Sequence, residues 1–402
     1  MISFAEMGDA DGELGPRLAA ARERAGFSQD EVGLILGQPR PVVSNWESGT
    51  RVPASHQLSK LSKIYRVDLE VLLGQTEEAR PNLELLLFRD AHDHLNAQAK
   101  YQVQRFLRLL DDFGDLLEDL HEPPGLTHSP LQVHPGFQTK EDIRRKAEEA
   151  REFLRIGREA PVGDLAGILD VVGISLVIAP LGRDLKGSVS GAFVPHHRVG
   201  FAMLINSETT PGRRRYTIAH ELAHALFHGD RPYVGYPHRI EAAERFADLF
   251  AAEFLVPAAA LRSVVERLGF ERITDAEAVV HLQRYFDVSY ATMLSRLRAV
   301  GLLRDEDRER LRDVQPVYVA KQLGYQIADD EWGLGQSVWG IEALPRRLIR
   351  LARRAVKEDL MSISSAAEIT GLAEDDIEEL VVDRPSEPTQ TAELEVLGVS
   401  AG

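Results

Sequence analysis

Two histidines four residues apart, His220 and His224, enclose Glu221 in the string His220-Glu221-Leu222-Ala223-His224. On a helix, positions four apart lie one turn apart on one side, so both imidazoles can reach a single ion. Glu221 is rotated by one residue and points beside that ion. From there a carboxylate can take the proton of an attacking water. Two imidazoles do not fill a catalytic zinc site, which ordinarily has three protein ligands and an open position. The chain has 402 residues and no cysteine, so the third ligand must be His, Asp or Glu. The run EAAERFADLFAAEFLVP (241–257) carries Glu244 and Asp248 four apart, with Phe246, Leu249, Phe250 and Phe254 opposite. We assign Glu244 as the third ligand and Asp248 as the acceptor that holds His220 by its other ring nitrogen. Glu241, one turn earlier, is the alternative ligand; Glu253 is too far along the helix. His228 extends the face of His220 and His224 and could stabilise the transition state or cap the helix end near Gly229. Tyr233 and His238 are further candidates for an oxyanion stabiliser, although His238, like His196 and His197, falls in an expected loop where a histidine is ordinarily solvated. Zn2+ is the expected cofactor, with Mn2+ as the alternative.

These residues need a scaffold. Thr210 can cap the first helix, with Pro211 in its first turn. Tyr216, Ala219, Ala223, Leu226 and Phe227 give that helix an apolar face. Nineteen residues separate His224 from Glu244, which leaves room for the rest of one helix, a turn and entry into the next. An HExxH string can arise by chance on a polar helix. Here apolar residues flank it, and the Glu-x-x-x-Asp helix follows. Upstream, Thr139 followed by Asp142 marks a helix start. Helices are expected over 140–156 and 161–172, then strands over 174–179, 190–194 and 201–206.

A formal charge of −16 argues against indiscriminate adhesion of the whole chain to nucleic acid or anionic membrane. The absence of cysteine excludes disulfides and thiolate-bound metal. The first fifteen residues lack the basic start and apolar run of a signal peptide, and no stretch has the length of a membrane span. The expected location is the cytoplasm.

At the N-terminus, SQDEVGLILGQPRPVVSNWESG (28–49) reads as two short helices joined by a tight turn at Gly37. Ser28 and Glu31 form a capping box. Val32, Ile35, Val43 and Trp46 face inward, while Arg40, Ser44 and Asn45 face out. A helix-turn-helix sets the first half of its second helix into the major groove, where Arg reads guanine and Asn reads adenine. Residues 14–74 hold eight Lys/Arg against six Asp/Glu, a weak surplus, so DNA affinity would gain from a homodimer. The bland alternative is a small helical bundle used for protein contacts. The apolar run 83–120 could be a dimer element, a spacer or a plain packed helix. In the C-terminal part, the basic stretch LPRRLIRLARRAVKE (344–358) could pack on its neighbours or touch DNA.

Two resemblances follow from these motifs. RRRYTIAHELAHALFH, then ERFADLFAAEFLVP, resembles the ImmA/IrrE family of metallopeptidases over roughly 140–303. LINSETTPGRRR upstream and FDVSYATMLSRLRAVGLL downstream extend the likeness. It implies a small zincin-like fold, a ligand role for Glu244, and cleavage of a helix-turn-helix repressor. The segment 14–74 resembles the XRE/Cro/CI helix-turn-helix family through its Ser-Gln start, its Trp-Glu-x-Gly end and the closing LEVLLG. By position, that likeness puts Gln38, Arg40, Pro41, Ser44 and Asn45 on bases, and Gln29 and Arg51 on phosphates. Pro41 departs from the pattern by removing an amide donor.

The expected fold class is multidomain and mainly α with a small β-sheet. It comprises an N-terminal all-α helix-turn-helix domain (13–75), a helical linker (76–137), a central α+β zincin-like peptidase domain (138–303), a helical C-terminal extension (304–384) and a flexible tail (385–402). The expected function is a regulatory zinc metallo-endopeptidase, gluzincin-like, with a DNA-binding domain. It would cleave a helix-turn-helix repressor and so derepress stress, phage or mobile-element genes. The rival is a DNA-binding transcriptional regulator whose peptidase-like domain senses without proteolysis; self-cleavage between the domains is a third possibility. Expected partners are a protein substrate, double-stranded DNA and a second copy of the chain, with no membrane.

Overall fold

A computed structural model describes residues 11–65, 67, 69–74, 96–131, 139–182, 190–229, 237–332 and 340–382. Five short helices open the chain: α1 (Asp11–Arg24), α2 (Gln29–Leu36), α3 (Arg40–Glu47), α4 (Ser55–Tyr65) and α5 (Leu69–Leu72). Both bonds of the Ser28–Glu31 capping box form, and Gly37 ends α2 in the left-handed region at φ 64°. Helix α3 starts at Arg40, with Pro39 in the cap position. Pro41 therefore sits in the first turn, where a missing N–H leaves no helix bond unmade. Leu18, Val32, Val43, Trp46, Leu61 and Leu72 fill this domain's core.

Helix α6 (Ala97–Asp119) is what the structure describes of the expected run 83–120; residues 83–95 lie outside the described residues. Of its three readings, the packed helix is the one observed. Near its start, Lys100 donates to the Gly26 carbonyl at 2.8 Å and pairs with Glu31 at 3.1 Å, both in the helix-turn-helix domain. Its later turns bury Phe106, Leu110, Phe113 and Leu117 in a core shared with the sheet. A stretch expected as a linker thus supplies a core helix.

Helices α7 (Lys140–Phe153) and α8 (Leu165–Val172) lead into β1 (Ser175–Ala179), β2 (Gly191–His196) and β3 (Gly200–Asn206). The order is β1-β3-β2, with β1 parallel and β2 antiparallel to β3. Side chains alternate across a strand, so the sheet feeds two cores. Leu176, Phe201, Met203 and Ile205 face helices α7 and α8 together with α9 (Pro211–Phe227), α10 (Pro237–Leu255), α11 (Ala258–Arg267), α12 (Ala276–Phe286) and α13 (Tyr290–Ala299). Val177, Ala179, Val194, Ala202 and Leu204 face α6 and the last helices. β3 is buried along its whole length because both its faces are covered.

The C-terminal region divides between these cores. Leu311 of α14 (Asp305–Leu311) and Ala320 of α15 (Pro316–Gln322) join the first. Leu348 and Leu351 of α16 (Arg346–Lys357), Ala366 of α17 (Ile363–Thr370) and Ile377 of α18 (Glu374–Val381) join the second. The basic helix α16 is stitched to the protein itself. Arg346 pairs with Asp164, Arg350 with Asp170, and Arg347 and Arg354 share Glu122. That favours the packed reading of this segment over a DNA contact. Residues 385–402 lie outside the described residues.

His196 corrects an expectation. It was read as a solvated loop histidine, but β2 runs on to it and turns its ring inward, where Nε2 lies 3.2 Å from Asp111 of α6. His197, the next residue, is exposed as expected.

One buried charge fixes the helix that carries Glu244. Arg151 of α7 is 1% exposed, and its guanidinium donates to the carbonyls of Phe254, Gly157 and Ala160. Phe254 is in the last turn of α10, so the cation meets carbonyls that lack partners within the helix and the negative end of the helix dipole. Arg151→Ala should leave the Phe254 and Ala160 carbonyls without this donor and open a cavity, costing about 3 kcal/mol or more. For a domain of this size we expect thermal unfolding by circular dichroism to fall by roughly 6–12 °C; an unchanged midpoint would rule out this capping role.

Candidate metal centre

Helix α9 carries the histidines, and its environment sets their direction. Pro211 occupies its first turn, and Thr210 stands at the cap position without a side-chain bond to the helix. Ala219, Leu222, Ala223 and Leu226 are buried in the first core. Gly191 lets β2 come close to this helix: a Cβ there would lie 2.6 Å from Cγ2 of Thr217. On α10, Phe246 and Phe250 pack edge-on against Phe227 of α9, with ring centroids 5.3 and 5.4 Å away. These contacts turn Glu244 and Asp248 toward the histidines.

Four Lewis-basic atoms of three residues meet there. His220 Nε2 lies 3.3 Å from His224 Nε2 and 3.2 Å from Glu244 Oε2, and His224 Nε2 lies 3.3 Å from Glu244 Oε1. Tetrahedral bonds of about 2.0–2.1 Å set ligand atoms about 3.3–3.4 Å apart; each contact in this triangle of residues is of that order, with Glu244 meeting the two histidines through different oxygens. Among the described residues, His220, His224 and Glu244 are the group able to hold a metal ion. Glu244 is exposed and the two histidines are half-buried, so the triangle can be reached from outside.

The other expected site residues take up distinct places. Asp248 Oδ1 lies 3.0 Å from His220 Nδ1, on the ring edge away from the triangle. The Glu221 carboxyl is buried beside the triangle and accepts the backbone N–H of Phe193 on β2. Sequence reasoning missed Phe193, because a backbone donor carries no letter; only the Val- and Phe-rich strand pattern pointed to it. His228 is buried, with Nδ1 3.2 Å from His224 Nδ1, behind that ring and not beside a reacting group. Of its two expected places, the structure shows the one at the helix end: His228 is the C-terminal cap of α9. Tyr233 lies outside the described residues, as do the side chains of His238 and Glu241.

On α3, Arg40, Pro41 and Asn45 are exposed and Ser44 is half-buried, as is Gln38 in the turn before it. Arg40 lies 3.6 Å from Asp30. Gln29 turns its amide to Glu47 at 2.9 Å, which departs from a pure phosphate contact. Arg51 is exposed. No helix among the described residues is long and apolar enough to cross a membrane.

Burial pushes the Glu221 carboxyl up from its ordinary range, against the pull of His224 and His220. At His220 burial acts to lower the pKa, but hydrogen bonds from Asp248 and Glu244 outweigh it and carry the ring up to about 10. Bonds from His220 and His224 hold Glu244 well below the usual carboxylate range. The sign at His220 follows from linkage. A raised imidazole pKa stabilises the metal-free fold fully below its unfolded value of 6.5, and this is lost as pH rises through about 10. A metal ion competes with that same proton. Zinc affinity of the stripped chain, read by competition with a chromophoric chelator, should therefore rise by close to tenfold per pH unit between about pH 6 and 8. An affinity flat across that window would contradict a protonated His220 in the metal-free site.

Comparison with known proteins places these sites. Residues 172–298 match the IrrE N-terminal-like domain, and residues 18–72 match the helix-turn-helix family. The radiation response metalloprotease IrrE of Deinococcus deserti is 34% identical over 129 residues, 30% of this chain and 42% of that protein. Its counterpart in Deinococcus radiodurans is 33% identical over 178 residues, 42% of this chain and 50% of that protein. The HTH-type transcriptional regulator ImmR of Bacillus subtilis is 39% identical over 69 residues, 17% of this chain and 54% of that protein. The chain thus spans about half the length of the curated relatives it matches. It joins an N-terminal helix-turn-helix domain to a metallopeptidase-like domain of the IrrE/ImmA kind.

Proposed function

We propose that the chain is a zinc-dependent regulatory endopeptidase whose substrate is a helix-turn-helix repressor, cut to release stress, phage or mobile-element genes. The observation that carries this is the triangle of His220, His224 and Glu244 with the buried Glu221 carboxyl beside it. His220 and His224 each present one ring nitrogen, and Glu244 presents a carboxylate oxygen. A zinc ion held there supplies a Lewis acid that polarises a peptide carbonyl and acidifies a water. Glu221 takes the proton from the attacking water and returns it to the leaving amine. Burial raises its carboxyl pKa, which makes it a stronger base toward that proton.

Strand β2 lies at the sheet edge next to Glu221 and can receive an extended peptide. Asn206 N–H bonds the Ser190 carbonyl, so by the antiparallel alternation Gly191, Phe193 and Pro195 turn their outer backbone groups off this edge. Glu221 takes the Phe193 N–H, and Pro195 has none. A bound strand would then be held mainly by its own N–H groups donating to β2 carbonyls.

A second reading, a DNA-binding regulator whose metal site only senses, draws on one observation. Helix α6 touches both the helix-turn-helix domain and the sheet. One experiment separates the two. The full chain, with zinc or manganese, is incubated with a repressor encoded beside it, and fragments are read by mass spectrometry. Glu221→Gln should keep its zinc and lose about 10²–10⁴-fold in cleavage rate. Cleavage by that variant at the wild-type rate would defeat the mechanism; zinc uptake and operator binding with no fragment from the wild-type chain would favour the sensor. A fragment of the chain itself, absent from the Glu221→Gln sample, would mark self-cleavage.

A further inference from the structure

We propose that His228 is a positioning residue for His224: it accepts a hydrogen bond from His224 Nδ1 and so leaves the Nε2 lone pair of His224 directed at the metal. This rests on the metal-site reading given above. The geometry at His224 divides its two nitrogens. Nε2 faces His220 Nε2 and Glu244 Oε1, each at 3.3 Å. Nδ1 faces the other way and lies 3.2 Å from His228 Nδ1. A hydrogen bond between two ring nitrogens contains one proton. If His224 Nε2 is to bind a cation, that proton belongs to His224 Nδ1, and His228 must offer a lone pair from its own Nδ1. His228 is then the neutral tautomer protonated at Nε2. Asp248 stands in the same relation to His220, at 3.0 Å. Each metal-facing histidine thus has one acceptor behind it, a carboxylate for the first and an imidazole for the second.

The surroundings hold His228 in that role. Its N–H bonds the His224 carbonyl at 2.8 Å, which closes the last turn of α9. Its ring is buried edge-on against Phe246, with centroids 5.2 Å apart. The next residue, Gly229, donates to Ser129 Oγ at 2.7 Å, and Ser129 donates to the Ala225 carbonyl at 2.9 Å. A Cβ on Gly229 would stand 2.3 Å from the Phe201 ring, so glycine is required where the chain leaves the helix. Backbone on both sides of His228 is therefore pinned.

The test is zinc binding by the metal-stripped full chain, measured by competition with a chromophoric chelator, with cleavage set aside. His228→Leu keeps an apolar side chain of similar reach and removes the acceptor; its zinc affinity should fall about 10–100-fold. In His228→Asn, Oδ1 takes the place of Nδ1 and should recover most of that loss. A structural role alone would not separate the two, because Asn fills the pocket less well than Leu. Thermal unfolding of the metal-free forms checks the fold, and if the Leu variant does not fold, Asn against His228→Ala gives the same acceptor comparison. Leu binding zinc as tightly as wild type, or Asn falling as far as Leu, would overturn the inference while leaving the metal site standing. A wild-type chain that binds no zinc, or binds it equally after His220→Ala, would overturn the metal-site reading itself.

Discussion

Two imidazole nitrogens and the two oxygens of one carboxylate, brought together from two different helices, meet at contacts of 3.2–3.3 Å. Atoms of that kind repel at such a distance unless a proton or a cation lies between them. In the metal-free site the proton of His220 lies toward Glu244, and much of the domain serves to hold the two helices at this spacing. The aromatic seam of Phe227, Phe246 and Phe250 locks the rotation of α9 against α10. Arg151 holds the end of α10 from α7, and the sheet braces α9 from the other side. Behind the histidines, Asp248 and His228 limit ring rotation. Preorganisation of this sort is what lets a metal bind without reordering its ligands, and it leaves Glu221 at a fixed offset from the reacting position.

The same scaffold ties the site to the other end of the chain. Helix α6 begins against the helix-turn-helix domain through Lys100 and continues along the sheet face opposite α9. Asp111 of that helix reaches His196 at the end of β2, the strand that gives its Phe193 amide to Glu221. At the C-terminal end, Glu368 of α17 pairs with Lys63 of α4, a second contact between the DNA-binding domain and the rest. The exposed residues of α3 remain outside these contacts, so the surface that would read DNA is open in this arrangement. A recognition domain and a candidate hydrolytic site therefore share continuous packing among the described residues.

Much of the site was legible because helix periodicity is strict. His220 pairs with His224, and Glu244 with Asp248, from spacing alone, since positions four apart share a face whatever the rest of the fold does; the choice of Glu244 over Glu241 leaned on the family resemblance as well. The three strands were legible from β-branched and aromatic runs, and the capping boxes at Ser28 and Thr139 from single residues. What was hidden depends on distant partners. Arg151 reads as one more charge on a polar helix, though it falls on the stripe of Ile143, Ala147 and Leu154; its carbonyl partners are far off in sequence. His196 reads as a loop residue because its acceptor, Asp111, comes 85 positions earlier. His228 was legible as the helix end, but not its contact with His224, since spacing gives the face of a helix and not which ring nitrogen meets which neighbour. The packing of α6 was ambiguous because its apolar pattern suits a spacer, a dimer seam or a core equally well.

The most direct measurement is the zinc K-edge X-ray absorption spectrum of the full chain loaded with one equivalent of zinc. The geometry predicts nitrogen and oxygen ligands at about 2.0–2.1 Å and outer-shell scattering from two imidazole rings. That ring scattering should drop when His220 or His224 is replaced by alanine. A spectrum with only oxygen neighbours, or one unchanged by either replacement, would contradict a metal centre at this triangle.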